Sequence, residues 1–191
     1  MYQKKRDKRS IQSSEWIYTA LKDLMIEKDF SKITITDIVN KANLGRTTFY
    51  RNFDSIDDVL KMKCDEKFNE FRQYCISYYK ENDVADKSFL TPFLKYWYEN
   101  SEIIELLIKA NRENIIKDCL TEEVKFFINS SSINKDTIIS AHINYFIAMI
   151  VSNSISILTE WINNDKNIPP DELANIIATQ AKESVKVNLF L

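Results

Sequence analysis

The sequence predicts an all-α globular protein; two observations predict the helices and a third predicts the globular state. Apolar residues mostly recur every three or four positions, which is the period of an amphipathic helix, whereas the alternation typical of strands is scarce. The chain has only one glycine and three prolines in 191 residues, which leaves little turn chemistry for a β-rich fold. A content of 45% hydrophobic and 28% charged residues is typical of a globular chain rather than a disordered one.

The first two helices follow from their caps and their apolar faces. Helix one is expected to have Ser13 as its N-cap and to end near Lys28. Thr34 can cap a short second helix, because Asp37 three positions later completes a capping box. The residues expected on the buried face of helix one are Trp16, Ile17, Ala20, Leu21, Leu24 and Met25.

The chain must then reverse direction within a few residues. Asn43 suits this turn, because asparagine tolerates left-handed backbone angles better than most residues. A third helix is expected over residues 46–52. The residues expected to point inward are Leu44, Phe49 and Phe53. The residues expected to remain largely outside are Arg46, Thr47, Thr48, Tyr50, Arg51 and Asn52. Two short helices joined by a tight turn are the layout of a helix-turn-helix.

A long fourth helix is expected to begin at Ser55, with Asp58 three positions later as its capping partner. The apolar stripe of this helix comprises Leu60, Cys64, Phe68, Phe71, Cys75 and Tyr78. The stripe places Cys64 and Cys75 among buried packing groups rather than among reactive thiols.

The cysteines and the N-terminal stretch favour a reduced, cytoplasmic compartment. Three cysteines are an odd number and provide no complete disulfide framework. The opening MYQKKRDKRS is charged throughout and lacks the apolar segment of a signal peptide.

Further helices are expected after the polar stretch ENDVADKS, and Pro170 suits the first turn of the last one. They are predicted at about 89–99, 102–109, 113–128, 136–163 and from 171 to near the C-terminus. The sequence therefore predicts a three-helix domain over residues 1–54, with its helix-turn-helix at about 35–54. The long fourth helix joins it to a helical-bundle domain for regulation and dimerisation over residues 55–191.

The stretch from Thr137 to Thr159 contains no formally charged residue and is long enough to span a membrane. Its histidine, asparagine and serine side chains would be costly in lipid. We therefore favour a buried helix that, with the last helix, also forms the seam of a homodimer. Small residues offer a face for close approach of another helix: Ala141, Ala148, Ser152 and Ser156.

Charge is unevenly distributed along the chain. Residues 1–63 carry 13 Lys or Arg and 9 Asp or Glu, a net charge of +4, whereas residues 64–191 carry 13 and 19, a net charge of −6. A basic front end on an acidic body favours a polyanion binder attached to a second module.

The stretch ITITDIVNKANLGRTTFYRNFDSIDDVL, preceded by AL-x-x-LM, resembles the DNA-binding domain of the TetR family of bacterial transcriptional regulators over about residues 13–62. Asn43 stands where the family usually has glycine, Asn52 where histidine is commoner, and Ile56 where a lysine usually helps to hold phosphate. The resemblance implies a homodimer on a palindromic operator in double-stranded DNA. The matching positions are Ile38–Val39, Asn43, Thr48, Phe49–Tyr50, Asn52, Phe53 and Ser55–Ile56–Asp57.

Each candidate in the recognition helix has an expected role. Arg46 can make a bidentate contact to guanine O6 and N7 in the major groove, and Thr47 can contact a base or a thymine methyl group. Thr48 and Tyr50 are better suited to phosphate oxygens, as the resemblance also implies.

Other candidates lie around that helix. Asn52 is expected to donate to phosphate, and the helix ends near Thr36 and Ser55 offer amide donors. A basic N-terminal arm is expected along the DNA backbone or in the minor groove, and it comprises Lys4, Lys5, Arg6, Lys8 and Arg9. The residues expected to contact DNA are Lys4, Lys5, Arg6, Thr36, Arg46, Thr47, Thr48, Tyr50, Arg51, Asn52 and Ser55.

The many aromatic residues of the predicted domain over residues 55–191 favour a small apolar effector that releases a repressor from DNA. Helix four would carry the effect of its binding to the recognition helix. The effector candidates are Phe93, Trp97, Phe126, His142 and Phe146, for each of which core packing is the alternative. A DNA-binding regulator that needs no ligand, or that docks a partner protein, remains an open alternative. No nucleophile elbow, phosphate-binding glycine loop or metal-ligand spacing is present in the sequence, so we expect neither an enzyme nor a cofactor.

Overall fold

The computed structural model describes residues 8–82, 89–130 and 142–186, and every regular element within these ranges is helical. The predicted all-α fold is confirmed. In chain order the elements are α1 (Lys8–Glu27), a 3-10 turn (Phe30–Lys32), α2 (Ile35–Lys41), α3 (Arg46–Asn52), α4 (Ile56–Glu81), α5 (Leu90–Asn100), α6 (Glu102–Lys109), α7 (Glu113–Ser130), α8 (Ile143–Asn163) and α9 (Pro170–Lys186).

The chain folds into two compact units. In the described ranges the first unit comprises residues 8–66 and 102–116, and the second comprises 67–101 and 117–186. The backbone therefore passes between the units at residues 66–67, 101–102 and 116–117. The functional division into residues 1–54 and 55–191 stays a prediction, because compactness does not test which residues act on which partner.

In the first unit α1 packs against α2 and α3. Fully buried side chains of these helices and of the start of α4 include Ile17, Leu21, Ile38, Phe49 and Leu60. Part of this unit comes from much later in the sequence, since residues 102–116 belong to it. α6 lies in that segment and buries Ile103, Ile104 and Leu107. Phe49 and Phe53 point inward as predicted, whereas Leu44 is only half-buried.

Two expectations for helix one were wrong. Ser13 is not its N-cap, because α1 is already helical at Lys8 and the Ser13 hydroxyl donates to the carbonyl oxygen of Ser10 at 3.1 Å. A serine inside a helix can satisfy its hydroxyl on a carbonyl of the preceding turn, so it need not mark the helix start. Trp16 was expected on the buried face, but 49% of it is exposed because it lies at the rim of that face.

Aromatic side chains form much of the core of the second unit. Phe71 on α4 is fully buried, and its ring centroid lies 5.8 Å from that of Phe93 and 5.4 Å from that of Tyr96. α5 also packs against α9. The predicted burial of the cysteines on the α4 stripe is confirmed, since Cys64 and Cys75 are free and fully buried.

Of the helix expected over residues 136–163, residues 136–141 lie outside the described residues, and the described helix begins at Ile143. His142 precedes it with φ −124° and ψ 31°, which is not helical, so the expectation of an unbroken helix through His142 was wrong. Among the described residues, α8 alone has the length and composition to cross a membrane, with a mean hydropathy of 1.4 over its most apolar stretch. Only 28% of that stretch is buried within the chain.

Candidate nucleic-acid interface

The turn between α2 and α3 depends on Asn43. Its φ of 52° lies in the left-handed region, as the sequence predicted, and the Leu44 amide donates to the Val39 carbonyl oxygen at 2.9 Å to close the turn. Gly45 follows as the N-cap of α3, with an ordinary φ of −82°. A Cβ at Gly45 would meet only Thr47 Oγ1, at 3.6 Å. The single glycine is therefore not required by the backbone geometry.

The predicted capping box at the start of α2 is present. Thr34 Oγ1 accepts a hydrogen bond from the Asp37 amide at 3.2 Å, and Asp37 Oδ2 accepts one from the Thr34 amide at 2.8 Å. Lys28 Nζ also donates to Asp37, at 2.7 Å. This ammonium, together with the Thr34 donors, lowers the pKa of Asp37 to about 2. Asp37 therefore stays ionised beside the positive end of α2.

The recognition helix α3 presents a polar face to solvent. Arg46, Thr47 and Arg51 are exposed, and Thr48 is half-buried. Tyr50 is 57% exposed, and its ring meets the Phe49 ring edge-on, with the centroids 5.7 Å apart. This face thus offers a guanidinium at each end and hydroxyl groups between them, which matches the donors that read base edges and phosphates.

Arg46 and Thr36 are brought together although they lie on different helices. Nη2 of Arg46 donates to Oγ1 of Thr36. The contact joins the start of α3 to the first turn of α2, where backbone N–H groups have no acceptor within the helix. One surface thus presents the guanidinium and these amides.

Asn52 is buried, contrary to the prediction from the sequence. It was expected outside, but it is only 4% exposed. Its Nδ2 donates to the Thr48 carbonyl oxygen at 2.7 Å and to Ser13 Oγ at 3.2 Å, and its Oδ1 accepts from Ser10 Oγ. These bonds occupy both donors of the amide, so Asn52 ties α3 to α1 rather than facing a phosphate. The serines of α1 spaced at helical intervals, Ser10, Ser13 and Ser14, were the available signal for a polar seam.

Ser55 caps α4 as predicted, and that role occupies its polar groups. Its amide and its hydroxyl both donate to Asp58 Oδ2 at 2.8 Å, while Oγ accepts from the Asp58 amide at 3.3 Å. The amide of Ser55 itself is thus engaged in the cap, contrary to the expectation that it donates to phosphate.

Lys4, Lys5 and Arg6 lie outside the described residues.

Two family models match this chain. Residues 17–61, which contain α2, α3 and the start of α4, match the model for bacterial regulatory proteins of the tetR family. Residues 87–182, half of the chain, match the model for a transcriptional regulator C-terminal region. The chain belongs to the TetR family of bacterial transcriptional regulators. The predicted resemblance is thereby confirmed.

This TetR-family chain has a distant curated relative. It is 27% identical over 180 residues to the HTH-type transcriptional regulator YxbF of Bacillus subtilis (strain 168), which covers 90% of this chain but 45% of that protein. The chain thus spans less than half the length of that relative.

Two solved structures resemble the fold of this TetR-family chain. Lin0861 from Listeria innocua matches with a TM-score of 0.68 at 21% identity, over 94% of each chain. A TetR transcriptional regulator from Streptococcus agalactiae 2603V matches with a TM-score of 0.63 at 24% identity, over 91% of this chain and 96% of that one.

The predicted effector residues divide into two groups in the second unit of this TetR-family chain. Phe93 and Trp97 are fully buried, with ring centroids 6.5 Å apart. Phe126 is 37% exposed, and the Arg72 guanidinium lies 4.5 Å from its ring centroid. His142 is exposed and Phe146 is half-buried. The structure therefore places Phe93 and Trp97 in one cluster and leaves Phe126 and His142 accessible to solvent.

Trp97 carries a buried donor without an acceptor. Its Nε1 has no hydrogen-bond partner among the described residues. Its indole ring lies 4.9 Å from the ring of Phe68 and 5.0 Å from that of Tyr96, by centroids. A buried N–H without an acceptor costs about 1–3 kcal/mol, so an acceptor supplied from outside the described residues would be favoured here.

Two open grooves lie elsewhere. One, of about 450 Å³, runs between the C-terminal half of α8 and α9 in the second unit; Ile157, Glu160, Trp161 and Ile177 are among the residues that line it. The other, of about 370 Å³, lies beside Trp16 in the first unit.

Proposed function

We propose that this protein is a sequence-specific DNA-binding transcriptional regulator that acts in the cytoplasm as a homodimer on a palindromic operator. The observation that carries the proposal is the polar face of α3, which remains exposed while Phe49, Asn52 and Phe53 hold the helix from behind. The proposed DNA contacts are Arg46, Thr47, Thr48, Tyr50 and Arg51 on α3, the amides near Thr36, and the arm residues Lys4, Lys5 and Arg6.

Arg46 is proposed to read a base rather than only a phosphate. Its contact with Thr36 holds the guanidinium at the start of α3, the end of a recognition helix that contacts base edges. The hydrogen bond to Thr36 uses one of five N–H donors and leaves the others for guanine O6 and N7.

Footprinting of the purified protein on the DNA that flanks its own gene tests the proposal and supplies an operator. Arg46→Ala is then expected to cost about 1–3 kcal/mol per half-site and to relax the base preference at one position. Lys5→Ala is the matched control: it should weaken binding to all sequences alike and reduce the salt dependence. Equal losses for both variants on operator and random DNA would show that the assigned roles are wrong.

The dimer is proposed to form through α8 and α9. α8 has an apolar composition, but only 28% of its most apolar stretch is buried within the chain. A second subunit would cover that face and hold two recognition helices at the spacing of successive major grooves. A monomer in light scattering at micromolar concentration would contradict this.

A small effector is proposed to release the protein from DNA, which makes the regulator a repressor. The unpaired Nε1 of Trp97 within an apolar cluster favours an uncharged, largely apolar molecule that carries one hydrogen-bond acceptor. The effector must bind the two states of the protein with different affinities, and a 100-fold response needs roughly 2.7 kcal/mol of coupling.

A screen for compounds that raise the melting temperature tests the effector. Compounds that do so are expected to lower operator affinity, and Trp97→Phe, which removes only the N–H and part of the ring, should weaken that response. If no stabilising compound changes operator affinity, the effector proposal fails while DNA binding stands.

The second candidate is a regulator that needs no ligand. Such a protein would be an activator, an architectural protein or a protein docked to a partner. The full burial of Phe93 and Trp97 favours it, and neither groove described above is lined by these two residues. The same compound screen separates the two candidates.

A further inference from the structure

The groove of about 370 Å³ in the first unit lies between α1 and the turn that follows α2. α1 contributes Trp16, Ala20 and Asp23 to its lining, and the turn contributes Ala42 and Asn43. At about 100° per residue, Ala20 and Asp23 lie within roughly 40° of the direction of Trp16. At about 1.5 Å per residue, Asp23 lies roughly 10 Å from Trp16 along the axis. This stripe of α1 therefore has an indole at one end and a carboxylate at the other.

The indole end of the groove is accessible. Trp16 is 49% exposed, whereas Trp97 is fully buried and Trp161 is 3% exposed. Ala20, which lies between the indole and the carboxylate, is 4% exposed and presents only a methyl group. An open indole beside a small apolar residue suits a hydrocarbon chain, and it suits an alkylammonium compound in particular because the ring quadrupole attracts cations.

The carboxylate end of the groove has no directly bound cation among the described residues. Asp23 is half-buried and makes no hydrogen bond or ion pair with any of them. The nearby lysines are bound to other carboxylates: Lys22 to Glu102 at 3.2 Å, and Lys41, which also lines the groove, to Glu27 at 2.5 Å. A carboxylate that has lost part of its hydration gains from a cation that binds it directly.

We propose that this groove binds a small alkylammonium compound, with the ammonium group on the Asp23 carboxylate and the hydrocarbon chain over Ala20 against the Trp16 indole. The volume falls within the range of about 300–1,000 Å³ that is typical of small-molecule sites. The inference goes beyond the proposed function. The effector proposed around Trp97 is uncharged and belongs to the second unit, whereas this site belongs to the first unit and takes a cation.

The charges of the groove disfavour a phosphate, which is the other ligand class expected in this unit. Asp23 would repel a phosphate, and the ammonium group of Lys41 is already held by Glu27. The groove also reaches the turn before the recognition helix, where Asn43 has its φ of 52°. A bound alkylammonium compound therefore contacts the turn that sets the direction of α3.

Three probes of equal length test the site in the full-length protein: 1-hexylamine, 1-hexanol and hexanoate. Trp16 itself reports binding, because it is the most exposed of the three tryptophans and dominates the red edge of the indole emission. Hexylamine is expected to shift that emission in a saturable manner. The neutral and anionic probes should require at least about tenfold higher concentrations, because neither can form the charge-assisted bond to Asp23.

Two carboxylate variants form a matched pair. Asp23→Asn keeps the size of the side chain but removes its charge, and it should weaken hexylamine binding at least about tenfold. Asp29→Asn is the control, because Asp29 does not line the groove and its side chain is 73% exposed, with Lys32 as its partner at 3.1 Å. This control should bind hexylamine as the unchanged protein does. Matching circular dichroism of both variants separates loss of the site from loss of folding.

A third variant tests the indole without depending on its emission. Trp16→Ala should lose the heat of hexylamine binding in titration calorimetry, and its circular dichroism should match that of the unchanged protein. Retention of that heat would show that the hydrocarbon chain does not lie against Trp16 and would overturn the inference.

The remaining outcomes are also decisive. Equal binding of hexanol and hexylamine, or undiminished hexylamine binding in Asp23→Asn, would show that the groove does not select a cation. The absence of saturable binding by any of the three probes would overturn the site itself. None of these measurements contains DNA, so each of these failures leaves the proposed DNA-binding function in place.

Discussion

Nε of Arg112 lies 3.0 Å from Oδ1 and 2.9 Å from Oδ2 of Asp57, although the two residues are 55 positions apart. The Arg112 guanidinium also lies 5.3 Å from the ring centroid of Phe30. Asp57 belongs to the first turn of α4, two residues after Ser55. The turn between α6 and α7 is thus bonded to the helix start that follows the recognition helix. Helix four alone was expected from the sequence to carry a signal, but residues 102–116 also belong to the first unit and provide a further covalent route into it.

The Arg112–Asp57 pair should contribute a modest coupling energy. Because the side chains are 36% and 46% exposed, solvent screens the charges, and we expect about 0.5–1 kcal/mol. Urea unfolding of Arg112→Ala, Asp57→Ala and the double variant measures that term as a double-mutant cycle. Strictly additive losses would show that the contact contributes nothing to stability.

Asn52→Ala should destabilise the protein by about 1–3 kcal/mol, because it leaves a buried seam between α1 and α3 with broken hydrogen bonds. Arg51→Ala is the control, because Arg51 is the neighbouring residue and its side chain is exposed. This substitution should change the free energy of unfolding by less than about 0.5 kcal/mol. Thermal or urea unfolding of both variants provides the comparison. Equal stability of the two variants would argue against a structural role for Asn52.

Substitutions at the two turn residues Asn43 and Gly45 should change the stability of the protein in opposite directions. Gly45→Ser should stabilise the protein by about 0.5–1 kcal/mol, because the serine fits a φ of −82°, reduces the freedom of the unfolded chain and can cap α3. Asn43→Ala should destabilise it by about 1–2 kcal/mol, because alanine is strained at a φ of 52°. Urea midpoints that move in the same direction would contradict this assignment of the left-handed position.

Glu123 is 3% exposed and forms two hydrogen bonds with Arg72: Nε donates to Oε2 at 2.7 Å and Nη2 to Oε1 at 2.6 Å. Arg72→Ala should therefore cost about 3 kcal/mol, because it leaves a buried carboxylate without its partner. Lys125→Ala removes an exposed ion pair to Glu122 on the same helix and should cost less than about 1 kcal/mol. Calorimetry that found similar losses for both would refute the distinction.

The thiol of Cys75 should make the protein lose stability in alkali. Burial raises the pKa of this thiol to about 12, from 9.0 in an unfolded chain. Between pH 9 and 12 the unfolded state therefore binds fewer protons than the folded state. This contribution to the free energy of unfolding is complete below pH 9 and is lost as the pH rises toward 12. In Cys75→Ala the alkaline decline should be smaller, and an identical pH profile would contradict the prediction.

Local patterns in the sequence determined much of this protein. Side-chain periodicity and caps act over a few residues, so α6 was predicted at residues 102–109 and is observed as Glu102–Lys109. The capping pairs of α2 and α4 and the left-handed Asn43 were predictable for the same reason, because their partners lie within three or four positions. The family followed from the spacing of such residues in one short stretch.

Only the tertiary structure decided which distant parts of the chain contact and bury each other. Asn52 is buried because Ser10 and Ser13, 42 and 39 positions away, offer hydrogen bonds on a facing helix. Its exposure could not be predicted from the period of α3. Likewise residues 102–116 complete the first unit, and Phe126 remains at the surface while Phe93 is buried. Burial depends on which faces meet across the fold, and a one-dimensional pattern of apolar residues specifies faces but not their partners.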